Sequence, residues 1–526
     1  MAGKGKKDWM TLYLLIGLAG MLLLNIIIIL RGTTEAFNSD SATAILLAKE
    51  QMRTGQIIPA GWHYANDVWL LSLNLFCIPF LLFLDNWLLC RELAVILQML
   101  VVTGLLIAFV RKLVDLKWAL LAAIVFWCPI SSVVQEHFLY QATYATIIGQ
   151  TLLILFLTYG FFEAHGKRPL LLYGAMLGIL TIVLTAGGIR LVGSVILPIL
   201  AAYGLMLLSD KDFDVKSVLC DKGSKLFLGK MAYFLAMCVV GYFLHLKIRA
   251  TGVISNYTMS INPDKSLWTG LGELLDYYMD VWGCLEISQI ISVSGVLGFC
   301  RFLVFFFMNF VAPIYACVRY RRLASQRMRF FVLYAFFAAA ITDYLIVFTD
   351  MCNSYYLLPV YFNGCILSVI LIHDLSGRGI RFKNISLLLA AVCAVPFCLL
   401  TGVYHAKAGY ADGAVDRALL ETLKENELSF GCSGIFWDTY KYTVLSNGEV
   451  EIISYIDMPE TPNLWLTSEQ WYQPEYHQGR SFILTRMGWE TVPDVWKERA
   501  EDVIHCGEFV IYVYSQNIYQ IIADEP

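Results

Sequence analysis

Apolar runs of about twenty residues recur along this chain up to about residue 403, and no other feature limits its fold as strongly. Each run is long enough to cross the hydrocarbon core of a bilayer as a helix that satisfies its own backbone groups. With 58% hydrophobic and only 15% charged residues, the chain departs from soluble globules, whose charged fraction is about a quarter. It reads as a polytopic α-helical membrane protein. The net charge of -4 carries no message about nucleic acid, and with no basic block beyond those that flank spans no nucleic-acid partner is expected. The first run is too long and too uniformly apolar for a cleaved signal peptide and reads as a retained anchor.

Charge sets the expected topology. Lys4, Lys6 and Lys7 precede the first span, about 9–30, and place the N-terminus in the cytoplasm. The run 68–84 is the exception: were it to cross, Arg111, Lys112 and Lys117 would lie outside and every later basic loop would be inverted. Pro79 is expected to break a helix there, and Trp62, Trp69 and Trp87 favour the interface. This run is therefore assigned to juxtamembrane helices in the outer leaflet. The other spans fall at about 92–110, 118–134, 142–162, 169–186, 191–209, 228–248, 291–318, 330–349, 355–372 and 385–403, which makes about eleven with the first. An odd number puts the C-terminal part outside, on the side of residues 32–91. The expected domains are a membrane domain, 1–403, and an extracytoplasmic α/β domain, 404–526, in a multi-pass protein of the plasma membrane.

In that polar part, 414–428 reads as an amphipathic helix and 430–437 as a strand. A hairpin of 440–445 and 450–455 is expected around Asn447-Gly448, a pair suited to a type I′ turn. Strands follow near Phe482 and at 509–514, with a helix at 495–503. Most of the 14 Cys are scattered singly through spans as small buried hydrophobes. Cys432 and Cys506 alone lie in the polar part, where an oxidising space would let them pair.

Ionisable groups at the outer ends of spans are costly to keep there and are functional candidates. Asp40 leads them, at the start of a helix just outside the first span, where a base could meet a lipid-carried substrate. The competing reading makes Asp40 or Ser39 an N-cap. Glu136 and His137 occupy a short outer loop as second-acid or acceptor-binding candidates, against a reading as merely solvated residues. Arg190 follows Gly187-Gly188 in a turn too short to leave the bilayer, so its guanidinium can hold a lipid phosphate in two bonds or snorkel to headgroups. His63, in Gly61-Trp62-His63-Tyr64, either binds a substrate hydroxyl or completes an aromatic cluster. Asp40, Asp67 and Glu136 offer a hard-cation set, but their spacing demands none, and no cofactor fingerprint appears.

The chain resembles the GT-C class of integral-membrane glycosyltransferases, bacterial relatives of protein mannosyltransferases and aminoarabinose transferases. The likeness rests on Ser39-Asp40-Ser41 after the first span, on Arg91 entering the second true span, and on Pro129. Gly188-Ile189-Arg190, Pro198 and Tyr355-Tyr356-Leu357-Leu358-Pro359 extend it. It covers roughly residues 9–200 well and the rest loosely. The resemblance implies a polyprenyl-phosphate-sugar donor, an outward active site, inversion at the anomeric carbon, Asp40 as the catalytic acid-loop base, Arg190 at the phosphate, and Tyr355-Tyr356 as the late-span motif. The acceptor would be an envelope glycan, lipid or protein. This sequence departs from the class where many members carry a second adjacent acid, a Pro-Pro-Leu-Tyr-like stretch and a late Arg-Tyr. Here stand flanking serines, Asn66-Asp67-Val68-Trp69, and Asn353-Ser354.

Two other functions compete. A flippase of a lipid-linked saccharide would use intramembrane groups such as Asp343, Arg301 and His245 along a path to the cytoplasm. An inactive relative would act as a binding protein through its C-terminal domain.

Overall fold

The computed structural model describes residues 8–254, 260–284, 292–323, 325–350, 352–378, 380–407, 413–489 and 492–524. Lys4, Lys6 and Lys7 thus lie outside the described residues. Among the described residues, ten helices are long and apolar enough to cross a membrane. They begin with α1 (Trp9–Ala36), whose first turn is capped by Asp8. After it come α2 (Ser39–Thr54), α3 (Leu73–Leu81) and α4 (Trp87–Val110). Helix α3 runs through Pro79 instead of breaking there; at nine residues, about 13 Å, it does not span.

The expected span 118–134 takes another form. Helix α5 (Leu116–Phe126) stops after 11 residues. Pro129 disfavours helical backbone at Cys128, so the chain runs on irregularly to a short helix at Ser132–Gln135 and a π-turn at Glu136–Tyr140. Lys117 pairs with Asp8 at 2.9 Å, which fixes the start of α5 at the N-terminal end of α1. About 16 Å of helix plus a few extended residues thus carry the chain through the bundle. Carbonyls freed at such a break find no water in lipid and need donors. Asn25 of α1, fully buried, donates to Trp127 O at 2.9 Å, and the Tyr361 hydroxyl reaches Val125 O at 3.3 Å. Asn25→Leu is expected to lower the melting temperature of the purified protein, by about 1–3 kcal/mol of stability, because Trp127 O is left without its donor. An unchanged melt would contradict this account of the break.

The loop expected only as outer polypeptide, 249–290, carries a helix, Leu267–Val281. It packs on the Ser354–Leu357 turn and the helix Gln326–Phe348, with Tyr277 donating to Cys352 O at 2.9 Å and Tyr278 to Asp343 at 3.0 Å.

The described residues include seven strands: β1 (Trp62–His63), β2 (Phe430–Ser433), β3 (Glu451–Ser454), β4 (Thr467–Ser468), β5 (Ser481–Arg486), β6 (Asp502–Cys506) and β7 (Phe509–Tyr514). A five-stranded sheet has the order β3-β2-β5-β7-β6, with β2 parallel to β3 and β5 and the remaining pairs antiparallel. Alternate residues feed two cores. Ile452, Phe482 and Ile511 meet Leu419 and Leu423 of the helix Ala414–Glu425 on one face, and Ile453, Ile483 and Tyr514 meet Trp496 on the other.

The expected hairpin does not form. Tyr440–Leu445 is a helix, and Asn447-Gly448 ends it. Asn447 is left-handed at φ 57°, Gly448 N donates to Thr443 O and Asn447 N to Val444 O, the bond pair of a Schellman cap. The same two residues suit a hairpin turn because both tolerate positive φ, and Pro-free apolar flanks serve either element. The helix expected at 495–503 ends at Arg499, and β6 takes its last residues. Cys432 and Cys506 are free thiols, not a pair. They lie on β2 and β6, three strands apart, about 14 Å, twice the reach of a disulfide.

The sheet is seated on the segment between α1 and α4. Strand β4 pairs with β1, Trp62 meets Trp471 edge-on at 5.8 Å, and Asn447 Oδ1 accepts from Trp87 N at 2.9 Å. In the helix Tyr440–Leu445, Tyr440 and Val444 join the core of the membrane-spanning part, while Tyr442 joins the sheet.

Candidate functional site

Asp40 occupies the first turn of α2, but it does not cap the helix. Asn38 does, accepting from Ser41 N at 2.9 Å. Ser39 is also otherwise engaged, since its hydroxyl donates to Phe436 O at 2.5 Å and lies 3.1 Å from Thr439 Oγ1. The turn is held from the other side by Arg91, fully buried in α4, whose Nε donates to Ser41 O at 2.8 Å. Among the described residues the Asp40 carboxylate makes no hydrogen bond or ion pair, though protein surrounds it and leaves a fraction open to solvent. Burial, with the charge of Glu136 added to it, raises its pKa to about 6. Such a carboxylate is ionised at neutral pH and poised to take a proton.

Glu136 stands opposite on the π-turn, which packs against α1. An extra residue per turn rotates side chains out of helical register, a device common at functional sites. Glu136 accepts from Gln141 Nε2 at 2.9 Å, and burial raises its pKa as well. His137 contacts Gln141 Oε1 at 3.1 Å; burial lowers its pKa to about 4, so it is neutral at pH 7. Its ring lies 4.5 Å from that of Tyr355 and 5.6 Å from that of Tyr144, and Tyr355 continues to Tyr356 at 4.9 Å.

These rings lead to the second half of the site. A groove of about 590 Å³ is lined by apolar residues such as Ile147, Leu197, Ile341 and Leu345, with Asp67, Arg190, Arg249, His245, Tyr144 and Tyr356 among its polar groups. Arg190 Nε lies 3.3 Å from Asp67 Oδ2. The two glycines before Arg190 make this approach possible: Val68 N donates to Gly187 O at 2.6 Å, and a Cβ on Gly188 would collide with the Asp67 carboxylate.

The structure thus brings Asp40 to Glu136, links His137 to Tyr355 and Tyr356, and joins Arg190 to Asp67. It does not bring His63 to the acid pair. His63 sits in β1, 3.7 Å from Glu469, in the aromatic seam that docks the sheet. Nor do Asp40, Asp67 and Glu136 assemble the hard-cation set, for Asp67 belongs to Arg190. Among the described residues no three His, Cys, Asp or Glu converge as a metal cluster. Sequence reasoning missed Tyr144, Arg249 and the groove role of Asp67. The candidate transport groups make no common path: Asp343 bonds Tyr278, Arg301 bonds His405, and His245 bonds Ala186 O.

No family model and no curated protein matches the chain. Among solved structures, ArnT from Cupriavidus metallidurans in the apo state aligns with a TM-score of 0.54 and 10% identity, over 96% of this chain and 97% of that one. The same protein bound to undecaprenyl phosphate gives 0.53 and 11%, over 97% and 98%. The apo oligosaccharyltransferase of Archaeoglobus fulgidus gives 0.47 and 12%, over 91% and 70%. The chain has the ArnT-like GT-C fold: a multi-pass helical bundle with a small C-terminal sheet region.

Proposed function

We propose that the chain is an inverting glycosyltransferase that moves a sugar from a polyprenyl-phosphate donor to an envelope acceptor on the outer face of the membrane. The observation that carries this reading is the carboxylate of Asp40, unpartnered among the described residues and joined through Glu136 and the rings of His137 and Tyr355 to an apolar groove that presents Arg190. The groove suits an isoprenoid chain, and a guanidinium suits its phosphate. ArnT, whose fold the chain shares, binds undecaprenyl phosphate.

In this mechanism an acceptor hydroxyl attacks the anomeric carbon, the bond from that carbon to the phosphate oxygen breaks, and polyprenyl phosphate departs with the electron pair. Asp40 takes the hydroxyl proton, and Arg190 shares the charge that grows on the phosphate. Asp67 keeps Arg190 oriented until phosphate competes for it. A divalent cation is not needed for these steps, since the two halves supply base and cation. The sheet domain, seated on α2, would then lie on the extracytoplasmic side and the N-terminus in the cytoplasm.

The test is an assay of purified protein with radiolabelled polyprenyl-phosphate sugars and extracted envelope material. Sugar should appear in the acceptor fraction as polyprenyl phosphate is released. Donor carried intact across proteoliposome membranes, with no release of polyprenyl phosphate, would instead show a flippase.

A further inference from the structure

Behind the acid pair lies a buried polar chain that the transfer chemistry does not use. Arg301, in the helix Val293–Phe306, is 3% exposed, and His405, near the end of the helix Ile380–Lys407, is 9% exposed. Arg301 Nη2 lies 3.1 Å from His405 Nε2, and His405 Nδ1 lies 2.8 Å from the side-chain amide of Gln135, the residue before Glu136. Arg301 Nη1 also faces Gly283 O at 3.4 Å, just past the helix Leu267–Val281.

The chemistry of the three groups orders their protons. A guanidinium only donates, so His405 Nε2 bears a lone pair and the neutral ring carries its proton on Nδ1. That proton needs an acceptor. The Gln135 amide has ends of equal shape, and a half-turn about its last bond gives up the long 3.4 Å contact of Nε2 to Ser131 O and puts Oε1 in place of the Nε2 that faces the ring at 2.8 Å. Three segments far apart in sequence are thereby tied in one direction, from Arg301 through His405 to the turn that bears Glu136. Burying a guanidinium and an imidazole at the end of a bundle is costly, and such groups are kept where they perform a task.

We propose that Arg301, His405 and Gln135 form a positioning relay that sets the π-turn so that Glu136 faces Asp40. The relay touches no substrate; it rests on the glycosyltransferase reading only for its effect on rate. Among the described residues, Glu136 is the charged group whose field reaches Asp40, Gln141 is a partner of Glu136, and Arg301 is a charge that faces His405.

The experiment is an infrared titration of the full-length protein in lipid nanodiscs, following the protonated-carboxyl band that Asp40→Asn removes. In the wild type its midpoint should lie near pH 6. In His405→Leu the turn relaxes, Glu136 withdraws, and the midpoint should move down by half a unit or more. His405→Gln, which can accept from Arg301 and still meet Gln135, should restore it. Gln135→Met cuts the last link, together with the 3.4 Å contact to Ser131 O, and should act like His405→Leu, which keeps the test decisive where the latter fails to fold. With a polyprenyl-phosphate sugar as donor, kcat should fall about tenfold in both cut variants while the donor KM holds. An unmoved midpoint in folded His405→Leu and Gln135→Met overturns the relay, as does His405→Gln behaving like His405→Leu. The midpoint decides the relay even where no sugar is transferred, so its failure is separable from failure of the transferase reading.

Discussion

Asp40→Asn should lower turnover by about 10² or more while leaving donor binding nearly unchanged. Asn38 already caps α2, so the substitution removes no structural bond, and an amide cannot take the acceptor proton. The same variant should be more stable than the wild type at neutral pH. The folded-state pKa of Asp40 is raised from 3.8 to about 6, so the folded protein binds this proton more tightly than the unfolded chain does. Stability from this group is therefore present below pH 4 and is lost as pH rises through about 6. At pH 7.5 the ionised, surrounded carboxylate costs on the order of 1–3 kcal/mol, which Asn relieves. Thermal melts of the two proteins should thus diverge between pH 4 and 7, while wild-type turnover falls as pH drops through about 6. Equal melts across that range, with activity intact, would return Asp40 to an ordinary surface role.

Arg190→Met should raise the donor KM by about 10- to 100-fold, the worth of a charge-assisted contact to phosphate, with a smaller fall in kcat. The loss has two parts, because the variant also leaves Asp67 negative in the groove. The double change Arg190→Met with Asp67→Asn removes that repulsion and should recover part of the binding. Tight binding of undecaprenyl phosphate to Arg190→Met, measured by microscale thermophoresis, would move the phosphate to another cation such as Arg249.

Local pattern carried much of the architecture. The long apolar runs required a helical membrane bundle, and Ser39-Asp40 marked a helix start, although the cap is neither of these two residues but Asn38 before them. The conflicts arose where one local signal serves two structures. Asn447-Gly448 fits a hairpin or a Schellman cap, and only the parallel pairing of β2 with β3 settles it. Pro129 lay within the expected span 118–134, and nothing local said that the helix would stop at Phe126 or that Asn25, about a hundred residues earlier, would satisfy the break. Burial of the break in protein lets an 11-residue helix stand where lipid contact would demand a full span.

The site divides in the same way. Arg190 after two glycines was visible as a cation kept near the bilayer, and Asp40 and Glu136 as acids at span ends. Their partnerships were not, since no spacing ties residue 40 to 136 or 67 to 190. The polar lining of the groove is gathered from helices that share no motif, and His245 and Arg249 gain meaning only from the neighbours that packing gives them.

The account stands most directly on where a lipid phosphate settles. A cryo-electron-microscopy map of the protein in nanodiscs with added undecaprenyl phosphate should show the isoprenoid in the groove between Ile147 and Leu345. The phosphate should lie within hydrogen-bonding reach of Arg190 and on the side that faces Tyr355 and the Asp40–Glu136 pair. A phosphate bound elsewhere, with Arg190 still paired to Asp67 and the groove filled by ordinary lipid, would contradict it.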